Sequence, residues 1–178
     1  MKITNGNLIL QSSTLSELEK LNNIYSEACD YFSFDKNHII TKPIDCLTKG
    51  DLPPNGTKDN YENLSIYEGD NLIGFMSIYK GYPSKNTTYI SFLYISGKDR
   101  YKGYGKRIVD IISAYSKKNQ FVNIRITVSL KNWNGLSFWH KCGFNNLTKV
   151  SIEGEFSEEN YGCIELEKTI ADNILNSD

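Results

Sequence analysis

Apolar residues recur along the chain at two periods, and the alternation between them predicts an α/β order of elements. Residues 8–11 read as a short strand. Thr14-Leu15-Ser16-Glu17 has the spacing of a capping box, and Leu15, Leu18, Leu21, Ile24, Tyr25 and Ala28 follow at helical spacing, so a helix is predicted that ends near Cys29. From 30 to 60 the periodicity fades. Tyr31, Phe32 and Phe34 give way to Pro43, Gly50, Pro53, Pro54 and Gly56, which predicts turns and one short helix. Residues 63–68 and 72–80 have strand composition on either side of Gly69-Asp70-Asn71, a hairpin turn. Residues 81–84 break the chain before 89–95, a run of apolar and β-favouring residues that predicts a buried strand. From Gly103 the period changes to helical: Ile108, Val109, Ile111, Ile112 and Tyr115 share a face, while Lys106, Arg107, Asp110 and Lys117 fall elsewhere. Residues 123–130 alternate as a strand. Asn134 is placed to cap a helix carrying Leu136, Phe138 and Trp139, and Gly143 suits its stop. Residues 144–152 and 161–168 close the chain as a hairpin around an acidic connection at 153–160.

The junction at 96–105 carries the chemical signal. A buried strand ends in a turn rich in glycine and positive charge and then opens a helix, so several backbone N–H groups and a positive dipole end point at one place. That arrangement is an anion site. A nucleotide P-loop is excluded because Lys106 is followed by Arg107 rather than by a hydroxyl for magnesium. A dinucleotide fingerprint is excluded because Ile108 stands where a third small residue is needed. Charge agrees with an anionic ligand. Residues 90–141 hold 10 Lys or Arg against 2 acids, and the rest of the chain holds 10 against 19, so positive charge gathers around the turn.

Arg100-Tyr101-Lys102-Gly103-Tyr104-Gly105 resembles the Q/R-x-x-G-x-G/A turn of the GNAT acetyltransferases, and residues 90–95, ISFLYI, stand where that family has its splayed central strand. Downstream, residues 132–144 resemble the family's N-x-x-A-x-x-F-Y-x-x-x-G-F segment. The resemblance spans about residues 8–170 and is sharp over 89–144. It implies an α/β GNAT fold: a mixed central sheet of six to seven strands with a splayed central strand and about four helices. Residues 1–170 would form one N-acetyltransferase domain and 171–178 a tail. It also implies acetyl-CoA as co-substrate and an amine as acceptor. Backbone at Leu93, Tyr94 and Ile95 would polarise the thioester carbonyl. Backbone at Arg100, Tyr101, Lys102, Gly103, Tyr104, Gly105 and Lys106 would hold the pyrophosphate. Asn132 would meet the pantetheine or assist the leaving group, with Phe138 and Trp139 packed under the cofactor.

Two side chains depart from the family. Its tyrosine acid falls at Trp139, whose indole N–H is no acid near neutrality. The glutamate base of its histone-acetylating branch falls at Tyr89, a phenol of pKa about 10. No catalytic residue is therefore assigned, and Ser91, Tyr94 and Asn132 are the candidates. The departures leave open a rival reading, a CoA-binding sensor or partner-binding module with little turnover. The stretch 51–56, DLPPNG, is a candidate acceptor lip or a rigid surface turn. Asp30, Asp35, Asp51, Asp59 and Glu62 lean towards a cationic acceptor, with peptide N-termini open.

Composition narrows the remaining classes. A net charge of −1 speaks against bulk nucleic-acid or membrane binding. The chain has no apolar run of signal-peptide or membrane-span length, so a cytoplasmic protein is expected. Cysteines at 29, 46, 142 and 163 and histidines at 38 and 140 lack metal or disulfide spacing, so no metal site is expected. A homodimer is left open. Gly103→Val and Gly105→Val are expected to abolish acetyl-CoA binding and leave the fold largely intact, read as loss of the melting-temperature rise that the coenzyme gives.

Overall fold

The computed structural model describes residues 1–33, 40–152, 155, 157 and 162–171. Phe34, Asp35, His38, most of the acidic connection at 153–160, Tyr161 and the end of the tail at 172–178 lie outside the described residues. The chain runs β1 (Lys2–Asn5), β2 (Leu8–Ser12), α1 (Leu18–Tyr31), α2 (Pro43–Thr48), β3 (Tyr61–Glu68), β4 (Asn71–Lys80) and β5 (Thr87–Ile95). It continues through α3 (Tyr104–Lys118), β6 (Asn123–Ser129), α4 (Trp133–Lys141), β7 (Asn146–Ser151) and β8 (Cys163–Thr169). The strands form one mixed sheet in the order β1-β2-β3-β4-β5-β6-β8-β7. β5 and β6 are parallel, as a crossover through α3 requires, and every other neighbouring pair is antiparallel.

The sheet forks at its centre. β5 pairs with β6 only over residues 87–90 and 123–126, although β5 runs on to Ile95 and β6 to Ser129. On its other edge β5 stays paired with β4 as far as Ile95, with a bulge at Ser91, between the Ser77↔Phe92 and Ile78↔Ile90 pairs. A bulge bends the strand that carries it, and here β5 stays with β4 while β6 leaves with β8.

Hydrophobic burial fixes which helix covers which face. Ile108, Val109 and Ile112 of α3 are fully buried against Leu64, Met76, Ile78 and Ile90, each contributing roughly 1.5–3 kcal/mol by leaving water. Phe144, just past α4, joins the same core. On the opposite face α1 packs Leu21, Ile24 and Ala28 on Phe75 and Tyr94, and Cys46 of α2 meets Tyr61 and Tyr79. The predicted capping box forms: the Thr14 N–H donates to the Glu17 carboxylate at 2.7 Å. No described helix is long and apolar enough to cross a membrane.

Three details differ from the sequence reading. There are eight strands rather than six to seven, because Lys2–Asn5 folds back on β2; its residues are mostly exposed, so no apolar alternation marks it. α1 continues past Cys29 to Tyr31, since Tyr31 and Phe32 find aromatic partners at the helix end. The cap of α4 is Asn132 rather than Asn134: its Oδ1 accepts from the Gly135 N–H at 2.8 Å.

Gly74 fixes the spacing of β4 and β5. A Cβ built there would sit 2.2 Å from the Tyr94 carbonyl oxygen, a backbone atom that cannot swing aside. Gly74→Ala is expected to cost about 2 kcal/mol, as overpacking does in tight interiors. Urea denaturation measures it, and an unchanged midpoint would contradict the close approach.

Candidate active site

A cleft of about 530 Å³ opens where β5 has parted from β6. Its floor is the end of β5, one wall is the turn and first residues of α3, and the other wall is α4. Leu93, Tyr94, Ile95, Arg100, Tyr101, Gly103, Tyr104, Gly105, Lys106, Asn132, Phe138 and Trp139 all line it. Of the residues expected to meet the coenzyme, Lys102 alone does not. Fold and motif therefore bring together residues up to 46 positions apart.

The anion-binding part rests on main chain. Gly103 is the N-cap of α3 in the left-handed region, at φ 82°, and a Cβ there would meet nothing within 4 Å. Its value is the turn it permits. No side chain caps α3, so its first N–H groups and the positive end of its dipole are left to a ligand. Tyr101 also adopts positive φ and turns its side chain to solvent, 99% exposed, so backbone is what it can offer the turn. The lysines contribute less than their number suggests. Lys102 pairs with Asp99 and Lys106 with Asp110, both at 2.7 Å and at the surface.

Arg100 is the exception among the side chains. Its guanidinium lies over the Tyr31 ring at 3.9 Å and the Tyr94 ring at 4.6 Å, and Nε donates to the Ile95 carbonyl at 3.0 Å. Nη2 is buried without a hydrogen-bond partner among the described residues. A charged donor withheld from water in this way costs on the order of 1–3 kcal/mol until an acceptor reaches it. The orphan donor, the uncapped helix and the open left-handed glycine together suit an anionic coenzyme such as acetyl-CoA.

The other expected residues have definite places. Asn132 uses its oxygen to cap α4, leaving Nδ2 as the donor for a ligand. Phe138 and Trp139 pack edge to face at 4.9 Å, and Trp139 meets Phe144 at 5.1 Å. Tyr94 is buried beneath Arg100, and burial raises its pKa, so it is a platform rather than a proton carrier. Ser91 does not line the cleft; its hydroxyl donates to the Ser77 carbonyl at 3.4 Å. Tyr89 donates to or accepts from the Thr127 hydroxyl at 2.5 Å, and burial pushes its pKa up to about 12. It cannot serve as a base.

Sequence reasoning missed Tyr31, Phe32 and Ser137 at the cleft, and Glu27, whose carboxylate accepts from the Ser96 hydroxyl at 2.8 Å and the Gly97 N–H at 3.1 Å. An aromatic pair followed at long range by an arginine was the available signal for the first two. It says nothing of stacking until α1 is placed. Among the described residues no group of three His, Cys, Asp or Glu is arranged to hold a metal, and the four cysteines are free.

The Acetyltransferase (GNAT) family model matches residues 21–144. Comparison with curated proteins gives no match. Among solved structures, an acetyltransferase from Thermus thermophilus is similar at 16% identity and TM-score 0.70, over 95% of this chain and 99% of that one. The spermidine N-acetyltransferase from Vibrio cholerae, in complex with CoA and spermine, is similar at 15% identity and TM-score 0.68, over 93% and 96%. A ribosomal L7/L12 alpha-N-protein acetyltransferase in complex with CoA reaches TM-score 0.74 at 11% identity, over 95% and 98%.

The two glycine variants should part company. A side chain at Gly103 meets only the penalty of a left-handed backbone, about 1–2 kcal/mol, whereas a Cβ at Gly105 would sit 2.9 Å from Phe138. Gly103→Val should thus lose coenzyme affinity with little change in the α3–α4 contact. Gly105→Val should lose affinity and melt lower because it displaces Phe138. Phe138→Ala should relieve part of that loss of stability and none of the Gly103→Val loss; equal relief of both would refute this division.

Proposed function

The chain belongs to the Acetyltransferase (GNAT) family, and from that premise we propose that it carries an acetyl group from acetyl-CoA to a primary amine by direct attack in a ternary complex. The observation that carries the coenzyme assignment is the uncapped start of α3 beside the buried orphan donor of Arg100, at the fork between β5 and β6. Direct attack is favoured because, among the described residues, no cysteine lines the cleft. Burial also raises the pKa of both Cys46 and Cys142, which suppresses the thiolate a covalent route needs.

The residues divide the work as follows. The start of α3 and Arg100 hold the phosphates, and backbone N–H groups of β5 at Leu93 to Ile95 face the thioester carbonyl. Asn132 Nδ2 and the half-buried rings of Phe138 and Trp139 position the arm that carries the thioester. The acceptor is read as a small cationic amine, a reading that leans on acids near the second face and on the fold shared with a spermidine N-acetyltransferase.

A second reading has its own support. Trp139 in place of a phenol, and Tyr89 locked to Thr127 with its pKa pushed up to about 12, leave no ordinary acid or base at the two family positions. That combination suits a CoA-binding module with slow turnover. Both readings predict that acetyl-CoA raises the melting temperature. Release of CoA thiol with a panel of primary amines is expected only from the enzyme. Trp139→Tyr should then raise kcat about tenfold or more if protonation of the thiolate limits the rate, within the range for general acids. An unchanged kcat would show that water already supplies the proton.

A further inference from the structure

The segment that leads from β5 into the coenzyme turn is held by a helix far away in sequence. Ser96 is buried and stands as the N-cap of a single 3-10 turn, Gly97–Asp99. A serine N-cap ordinarily accepts from N–H groups of the turn it precedes, but no such bond forms here. Its hydroxyl donates instead to Glu27 of α1 at 2.8 Å, and the same carboxylate oxygen, Oε2, accepts from the Gly97 N–H at 3.1 Å. Glu27 thus supplies the cap that Ser96 does not.

α1 holds the other end of the segment as well. Tyr31 lies one helical turn beyond Glu27, on the same face of α1, and its ring carries the Arg100 guanidinium at 3.9 Å. One helix face therefore grips residues 96–100 at both ends, by hydrogen bonds at the start and by stacking at the finish. Backbone bonds within the segment transmit the grip: the Asp99 N–H donates to the Ser96 carbonyl at 2.9 Å and the Arg100 N–H to the Gly97 carbonyl at 3.4 Å. Three residues after Arg100 the chain turns left-handed at Gly103 and opens α3. Neither Glu27 nor the two residues it bonds lines the cleft, whereas Asp99 and Arg100 do.

We propose that Glu27 is a positioning residue for the coenzyme's diphosphate: it fixes residues 96–100 so that Arg100 and the uncapped start of α3 face one anion together. The proposal rests on the acetyl-CoA reading of the cleft. Glu27 does this work as an acceptor and not as a charge. A negative charge beside the turn opposes an arriving diphosphate, whereas the two accepted bonds order the segment before the ligand arrives and spare binding that cost. A carboxamide oxygen can accept the same two bonds. Glutamine at this position therefore keeps the function, and alanine loses it.

The test is CoA affinity by calorimetry, with the melting temperature of the free protein measured alongside. Glu27→Ala should weaken CoA about tenfold, the scale of hydrogen bonds to a charged group. It should leave the free protein's melting temperature nearly unchanged, because Glu27 is exposed. Glu27→Gln should bind CoA within about twofold of native or more tightly. Ser96→Ala should weaken CoA roughly threefold alone, and by less than about twofold when added to Glu27→Ala, since both changes remove one link. Native-like affinity in Glu27→Ala, a Glu27→Gln protein as weak as Glu27→Ala, or a Ser96→Ala effect that persists in full in the double variant overturns the proposal. So does a loss of affinity in Glu27→Ala that is matched by a fall in melting temperature, which would mark a general weakening of the fold. Failure of the native protein to bind CoA would instead remove the reading on which the proposal rests.

Discussion

The structure depends on a backbone ladder that stops early. Residues 87–90 of β5 pair with 123–126 of β6, and beyond Ile90 the two strands go separate ways while each stays paired on its outer edge. Main-chain N–H and C=O groups need partners, so beyond Ile90 the inner edge of β5 is left with hydrogen-bonding capacity that β6 does not take up, and Arg100 Nε meets the carbonyl at Ile95. The bulge at Ser91 is where this begins. Everything else at the cleft is arranged around that unused edge: α3 starts beside it, α4 closes over it, and the end of α1 supplies aromatic rings for Arg100.

This explains how the family chemistry tolerates unusual side chains here. In the proposed arrangement phosphate and carbonyl would be met by backbone, whose geometry depends on Gly103 being left-handed and Gly74 being bare rather than on any acid or base. Trp139 and Tyr89 have taken structural work instead. Trp139 joins Phe138 to Phe144, and Tyr89 ties β5 to Thr127 of β6 at the root of the fork. A phenol held in that bond holds two strands at their point of divergence, which its position in the sequence alone would not suggest.

The parts of the fold legible in the sequence were those set by local rules. The capping box of Thr14 and Glu17, the hairpin at Gly69, the apolar face of α3 and the stop at Gly143 all came from short-range spacing, and all formed. The turn at 100–105 was legible as a turn because its left-handed glycine and the helix it opens are themselves local features. What the sequence hid depends on distant partners. The strand Lys2–Asn5 has no buried alternation to betray it. Asn132 rather than Asn134 caps α4 because of how the chain leaves β6. Gly105 looked like a glycine kept small for phosphate, yet its near neighbour is Phe138, 33 residues on. The expected location in the cytoplasm and the acceptor itself have no local signature of that kind.

The Gly74 contact has a mechanical corollary. β4 and β5 touch there at backbone distance, and Tyr94 with its arginine rides on that pair, which the ladders from β1 to β4 continue. The other part of the sheet, β6 with β8 and β7, meets the first along a ladder of four residue pairs and the Tyr89–Thr127 hydroxyl contact. The core buried under α3 also spans both halves, with Met76 and Ile78 on one side and Ile124 and Ile126 on the other, so the width of the fork is set by that packing together with the ladder.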